Sequence, residues 1–227
     1  MLGVLCFTQP RNSMDIGIFG GSFNPIHVGH LIVAEEVFLQ RALSKVIFVP
    51  TGVSPHKESS DLIDSSHRFN MVKIAISDNE HFEVSDLEIK RSGKSYTIDT
   101  IRSFKEIYGG KDNLYLIVGT DMLSEISTWK DIGTLAEMCN FIVVNRFPVT
   151  INGNLSEYPF GKRGLNGINL FSKEKLAEIE RLKVPIPPIG ISSTEIRERL
   201  RCGRSVKYLV PQCVEDYIKA NDLYVKG

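Results

Sequence analysis

Residues 15–30 read DIGIFGGSFNPIHVGH, and they set the architecture for the rest of the chain. Asp15–Gly20 is a short, mostly apolar run of the kind that forms a buried strand. A Gly/Asn/Pro turn follows, and then an apolar-periodic helix from about Gly29 to Leu43. Beyond it the pattern recurs. Lys45–Pro50 (KVIFVP) is a second buried strand, and the polar loop Thr51–Asp64 leads to a helix near Arg68–Ser77. Phe82–Val84 is a third strand, and Thr97–Tyr108 is a helix that stops at Gly109–Gly110. Leu114–Val118 (LYLIV) and Phe141–Val144 are further continuous apolar strands. Short apolar strands alternating with helices predict a parallel sheet covered on both faces. The expectation is a Rossmann-like, doubly wound α/β fold.

The C-terminal signals are of the same quality. Ser192 with Glu195 three residues on forms a capping box, opening a helix through about Arg201 that ends at Cys202–Gly203. A last helix runs from Pro211 to about Ala220. Pro148–Lys183 mixes Gly, Asn and Pro with one helical stretch, Ser172–Arg181, and reads as a variable segment. Residues 14–227 are expected to form a single domain, with residues 1–13 as an N-terminal extension and Met14 as an alternative start.

Composition excludes several function classes. Lys+Arg and Asp+Glu both number 27, and a chain that grips nucleic-acid backbone usually carries a basic excess. No nucleic-acid partner is expected. Cys6, Cys139, Cys202 and Cys213 form no CxxC and no Cys/His cluster, which signals neither a zinc site nor a disulfide framework. Scattered thiols fit the cytoplasm. Ile16–Ala34 lacks Asp, Glu, Lys and Arg, but its glycines, Asn24, Pro25, His27 and His30 do not suit a membrane-spanning helix. No membrane attachment is expected.

The densest chemistry lies at Gly20–His30, where the first strand hands over to the first helix. Open α/β sheets bind ligands at the carboxyl ends of their strands. Glycines let backbone approach phosphate oxygens, and a helix N-terminus offers N–H groups and a positive dipole end. His27 and His30, three apart, share one face and can reach the same anion. The segment is not the dinucleotide fingerprint GxGxxG, and no GxxxxGK[ST] loop occurs. Ile191-Ser-Ser-Thr-Glu-Ile-Arg197 opens a second helix, and its hydroxyls and Arg197 could clasp the same triphosphate from the other side.

The two segments together, GGSFNPIHVGH and ISSTEIR, resemble the signatures of the nucleotidyltransferase superfamily. Within it the chain resembles the bacterial nicotinate-nucleotide adenylyltransferases. The likeness extends through Pro55-His56-Lys57, Ser95-Tyr96-Thr97, Gly119-Thr120-Asp121, Trp129-Lys130, Asn145-Arg146 and Tyr208–Pro211. It implies transfer of AMP from ATP to nicotinate mononucleotide, giving deamido-NAD and pyrophosphate, with Mg²⁺ carried by ATP and no metal ligands of the protein's own.

The resemblance also assigns roles. His27, His30 and Arg197 are the catalytic candidates. ATP would lie against Gly20, Gly21, Ser22, Phe23, His27, His30, Gly119, Asp121, Ser192, Ser193, Thr194 and Arg197. Nicotinate mononucleotide would meet His56, Lys57, Tyr96, Thr97, Trp129 and Arg146, with Trp129 stacking on the pyridine ring. Blander readings stand beside three of these: core packing for Trp129, a solvated loop pair for His56 and Lys57, and a helix N-cap for Asp121. The competing functions are a different acceptor, phosphopantetheine or nicotinamide mononucleotide, and a nucleotide sensor without turnover. Homo-oligomerisation is left open.

Overall fold

A computed structural model describes residues 13–53, 62–123, 125–145 and 171–225. The first strand, β1 (Asp15–Gly21), leads to α1 (Val28–Gln40), β2 (Lys45–Pro50), α2 (Ser65–Ala75) and β3 (Phe82–Val84). After the short α3 (Leu87–Lys90) come α4 (Thr97–Tyr108), β4 (Asn113–Gly119), α5 (Thr120–Leu123), a 3₁₀ turn at Ile126–Thr128, α6 (Ile132–Met138) and β5 (Asn140–Asn145). The remainder is α7 (Lys173–Arg181), β6 (Val184–Pro185), α8 (Ser193–Arg201) and α9 (Gln212–Ala220).

The strands form one sheet in the order β3-β2-β1-β4-β5-β6, and every pairing is parallel. This is the doubly wound arrangement expected from the alternation of strands and helices. Strand residues alternate faces. Phe19, Val46, Phe48, Ile117, Ile142 and Val144 pack with α1, α2, α8 and α9 through Val33, Val37, Met71, Ile196 and Val214. Ile16, Ile18, Ile47, Leu116, Phe141 and Val143 pack on the other side with α4, α6 and α7 through Ile98, Ile101, Leu135 and Ile179. Burial on both faces is why these strands are apolar throughout instead of alternating with polar residues.

Two helix boundaries differ from expectation for identifiable reasons. The first helix ends at Gln40, and Ala42 takes a left-handed conformation (φ 47°). Leu43 N–H then donates to Phe38 O at 3.1 Å, so the chain closes a reverse turn that normally announces itself with glycine. The second helix begins early, at Ser65, because the Asp64 side chain accepts from Ser66 N–H at 2.8 Å. A carboxylate at the N-cap offsets the weak helix preference of the serines that follow. Of the variable segment, residues 171–183 are described: Ser172 caps α7, which packs against β5.

The order places a switch point between β1 and β4, from which the chain winds outward in both directions. Their carboxyl ends, Gly21 and Gly119, therefore stand where open α/β sheets bind ligands.

Candidate active site

Two helix N-termini meet the turn that follows β1. At the first, His27 occupies the N-cap of α1 and is 3% exposed. His30, in the first turn, stacks on it with ring centroids 3.7 Å apart and an interplanar angle of 24°. The backbone N–H of His27 donates to His30 Nδ1 at 3.2 Å. A neutral His30 accepting at Nδ1 carries its proton on Nε2, which makes that edge a donor. Phe23 fixes the other side of the His30 ring by an edge-on contact, centroids 5.1 Å apart. Between the histidines, Gly29 is tightly enclosed: a Cβ there would lie 3.1 Å from the His27 ring and 3.1 Å from Ile189, so a side chain would press on both. Val28 N–H is taken by Leu209 O at 3.0 Å, so the Tyr208–Pro211 segment buttresses the start of α1.

At the second N-terminus, the Ser192 side chain caps α8 by accepting from Glu195 N–H at 3.1 Å. This is the Ser192 half of the expected capping box; the Glu195 carboxylate accepts from Arg199 Nε at 3.0 Å, and Ser193, Thr194 and Arg197 take no part in the cap. Ser193 Oγ donates to Pro25 O at 2.9 Å and Arg197 Nη1 to Asn24 O at 2.9 Å. Thr194 Oγ1 is 3.5 Å from Arg197 Nη2. From behind the turn, Tyr224 OH donates to Asn24 Oδ1 at 2.7 Å, and burial pushes the Tyr224 pKa upward. Ser193 and Arg197 therefore clasp the Asn24–Pro25 turn with part of their hydrogen-bonding capacity. Arg197 Nε is buried with no hydrogen-bond partner among the described residues. A buried guanidinium N–H without an acceptor is costly unless an anion completes it.

Tyr96 and Trp129 both pack, half-buried, against the core cluster on the α4 and α6 side of the sheet. Tyr96 is the N-cap residue of α4 and Thr97 its first residue. Lys130 Nζ sits 4.6 Å above the Tyr96 ring and pairs with Asp99 at 3.4 Å. Trp129 ends the 3₁₀ turn and packs only partly into the core. Half-buried against that core, Trp129 is compatible with both the stacking and the core-packing readings. Gly119 closes β4, paired in register with Val144. Asp121 lies inside the first turn of α5, which begins at Thr120, and not at its cap. His56, Lys57 and Arg146 fall outside the described residues.

Sequence reading missed two buried charges. Arg68, 1% exposed, donates to Ser22 O (2.8 Å), Thr51 O (2.6 Å), Gly52 O (3.4 Å) and Ile63 O (3.2 Å). Burial lowers its pKa. Glu88, also buried, accepts from Thr100 Oγ1 at 2.7 Å, and burial raises its pKa. The available signal was a charge on an apolar face: Arg68 shares its helical stripe with Met71, Val72 and Ala75.

The cytidylyltransferase-like family model matches residues 18–199. A protein of Thermoanaerobacter sp. named as a probable nicotinate-nucleotide adenylyltransferase is 46% identical over 95% of this chain and 97% of its own length. The chain belongs to the nicotinate-nucleotide adenylyltransferase family. A protein of Moorella thermoacetica with the same name is 41% identical over 92% of this chain and 91% of its own length. Among solved structures, the fold matches that of Plasmodium falciparum nicotinic acid mononucleotide adenylyltransferase complexed with NaAD. The TM-score is 0.68 at 23% identity, covering 93% of this chain and 97% of the other. Family membership makes the chain a nucleotidyltransferase.

Proposed function

We propose that this chain joins ATP and nicotinate mononucleotide to give deamido-NAD and pyrophosphate. The observation that carries the reading is the meeting of the stacked His27–His30 pair and Arg197 on one turn at the carboxyl end of β1. A phosphate oxygen of the mononucleotide attacks the α-phosphorus of ATP, forming one P–O bond. The bond from that phosphorus to the α–β bridging oxygen breaks, and its electron pair leaves with pyrophosphate. The nucleophile is already ionised at neutral pH, so no general base is needed. Catalysis then rests on alignment and on stabilising charge as it develops.

In this reading His30 Nε2–H and the His27 ring face the α-phosphate and its departing oxygen. Arg197 supplies Nε and the remaining guanidinium protons to the β- and γ-phosphates, beside the Ser193 and Thr194 hydroxyls and the N-terminus of α8. Ser192 shapes that N-terminus, and Gly20, Gly21, Ser22 and Phe23 form the floor under ATP. Gly119 and Asp121 lie on the adenosine side. Trp129 stacks on the pyridine ring, and Tyr96–Thr97 begin α4 beside the nicotinate carboxylate. His56, Lys57 and Arg146 complete the mononucleotide site.

Among the described residues no group of three or more His, Cys, Asp or Glu could hold a metal ion. In this reading Mg²⁺ would arrive bound to ATP, held by phosphates and water, and would supply charge neutralisation there. Among the described residues no helix is long and apolar enough to cross a membrane. Cys139, Cys202 and Cys213 are free thiols, which suits a reducing cytoplasm.

The deciding experiment is pyrophosphate release with ATP and Mg²⁺, offering nicotinate mononucleotide, nicotinamide mononucleotide or phosphopantetheine separately. Strong preference for the nicotinate substrate is expected. Preference for phosphopantetheine would overturn the acceptor, and ATP binding without turnover on any of the three would overturn the reaction.

A further inference from the structure

The C-terminal end of the chain reaches the turn after β1 through one hydroxyl. Beyond α9 the backbone passes through two left-handed residues, Asp222 (φ 49°) and Tyr224 (φ 64°). A bulky side chain seldom adopts that conformation, and such strain persists only where the surroundings over-determine it. Here Leu223 N–H donates to Ile218 O at 3.0 Å. Leu223 and Tyr224 are both buried in the core cluster that holds Met71, Ile196 and Val214. The Tyr224 ring is thereby set against the turn, with its OH donating to Asn24 Oδ1 at 2.7 Å.

Packing alone does not call for tyrosine at this position. The ring lies in an apolar cluster that phenylalanine would fill as well, so the hydroxyl is the difference between them. Its acceptor, Asn24, is itself buried, and a buried acceptor that loses its donor is costly. Asn24 is also held at both ends. Tyr224 donates to its carboxamide, and Arg197 Nη1 donates to its carbonyl at 2.9 Å.

That second bond links the tail to the proposed phosphate site. A guanidinium is a rigid planar fork, so docking one nitrogen directs the others. The place of Asn24 O therefore sets the direction of Arg197 Nε, which is buried without a partner among the described residues, and of Nη2, 3.5 Å from Thr194 Oγ1. Ser193 Oγ and Arg68 Nη1 grip the turn after and before Asn24, at Pro25 O (2.9 Å) and Ser22 O (2.8 Å). Tyr224 adds the restraint on the Asn24 side chain. Resting on the proposed reaction, we propose that Tyr224 is a positioning residue: by holding the Asn24 carboxamide it keeps the Asn24 carbonyl where it aims Arg197 at the phosphates of ATP.

The test compares wild type with Tyr224→Phe, Arg197→Ala, the Tyr224→Phe/Arg197→Ala double variant and Val214→Ala. Phenylalanine removes one oxygen and keeps the ring. Val214→Ala is the control for lost stability, because Val214 is fully buried in the same cluster and belongs to α9. Initial rates at varied ATP and nicotinate mononucleotide give kcat and both KM values. Calorimetric ATP titration counts competent sites, and melting temperature reports folding.

Tyr224→Phe is expected to lower kcat/KM for ATP about 10-fold per competent site, less than the about 100-fold of a full ångström of misplacement, with KM for nicotinate mononucleotide unchanged. Val214→Ala should melt lower and keep normal kinetics per competent site. The double variant should be no worse than Arg197→Ala, since the hydroxyl acts through that arginine. Normal kinetics in Tyr224→Phe would overturn the inference, whatever its melting temperature. An equal kinetic loss in Val214→Ala, or multiplied losses in the double variant, would overturn it too. Should Tyr224→Phe fail to fold, Asn24→Leu removes the acceptor instead of the donor and is expected to show the same loss; normal kinetics there would overturn the inference. Wild type inactive on these substrates would overturn the reaction and this inference with it; active wild type with an indifferent Tyr224→Phe would overturn the inference alone.

Discussion

Two arginines grip the turn after β1 from opposite sides, and the difference between them separates scaffold from site. On the α2 side, Arg68 spends its guanidinium on backbone carbonyls at Ser22, Thr51, Gly52 and Ile63. On the α8 side, Arg197 reaches one carbonyl, Asn24 O, and keeps a buried Nε without a partner among the described residues. The same functional group is spread over four backbone carbonyls in one place and, among the described residues, keeps a buried donor without a partner in the other. Under the proposed function the first orients backbone, and the second has a donor left for a phosphate.

The sharpest way to break this contrast is kinetic. His30→Ala and Arg197→Ala should each reduce kcat by about 100- to 1000-fold, the usual loss for one transition-state donor, in a protein that still folds. Pyrophosphate-release rates together with circular dichroism check this. Near-normal turnover of a folded His30→Ala protein would remove that histidine from catalysis.

Stability should show the reverse ranking. Arg68→Met strips its donors from several buried carbonyls and should cost about 3 kcal/mol, whereas Arg197→Met loses one backbone partner and should cost about 1 kcal/mol. Urea denaturation of both variants measures the gap. Equal losses would mean that Arg197 is as structural as Arg68.

A smaller and more selective effect belongs to the aromatic side of the proposed site. Trp129→Ala should raise KM for nicotinate mononucleotide about 5-fold, the scale of about 1 kcal/mol expected for an aromatic stack, while leaving KM for ATP unchanged. A matching rise for ATP would return Trp129 to core packing.

The contrast also shows what sequence can and cannot carry. Period and punctuation made the sheet legible: apolar strands, the Gly109–Gly110 stop and the Ser192 cap are local signals, and the structure has each of them. The short α3, α5 and α6 escaped because helices of a turn or two bury too few residues to show a period. At the site, helix-start histidines and hydroxyls announced themselves by type and spacing. Arg68 and Glu88 did not, because their meaning lies in where their partners come from. Ser22, Thr51 and Gly52 are remote from Arg68 in the chain, and a buried charge inside an apolar stripe reads as a solvated one until the fold closes over it.

The least conspicuous consequence concerns Glu88 and pH. Burial disfavours its charged form and raises its pKa above the ordinary 4.5, against the opposing pull of the Thr100 hydroxyl and the Arg91 charge; Arg68 is the other cation that feels it. For an acid whose pKa is higher folded than unfolded, the contribution to stability is complete below the unfolded pKa. It is lost as pH rises through the folded pKa, because the native state must then hold a buried anion. Glu88→Gln removes that titration while keeping an acceptor. Its stability relative to wild type should therefore be lowest near pH 4 and improve as pH rises above about 4.5 towards neutrality. Melting temperatures of both proteins across that range measure the trend. A flat difference would mean that Thr100 and Arg91 compensate the buried carboxylate in full.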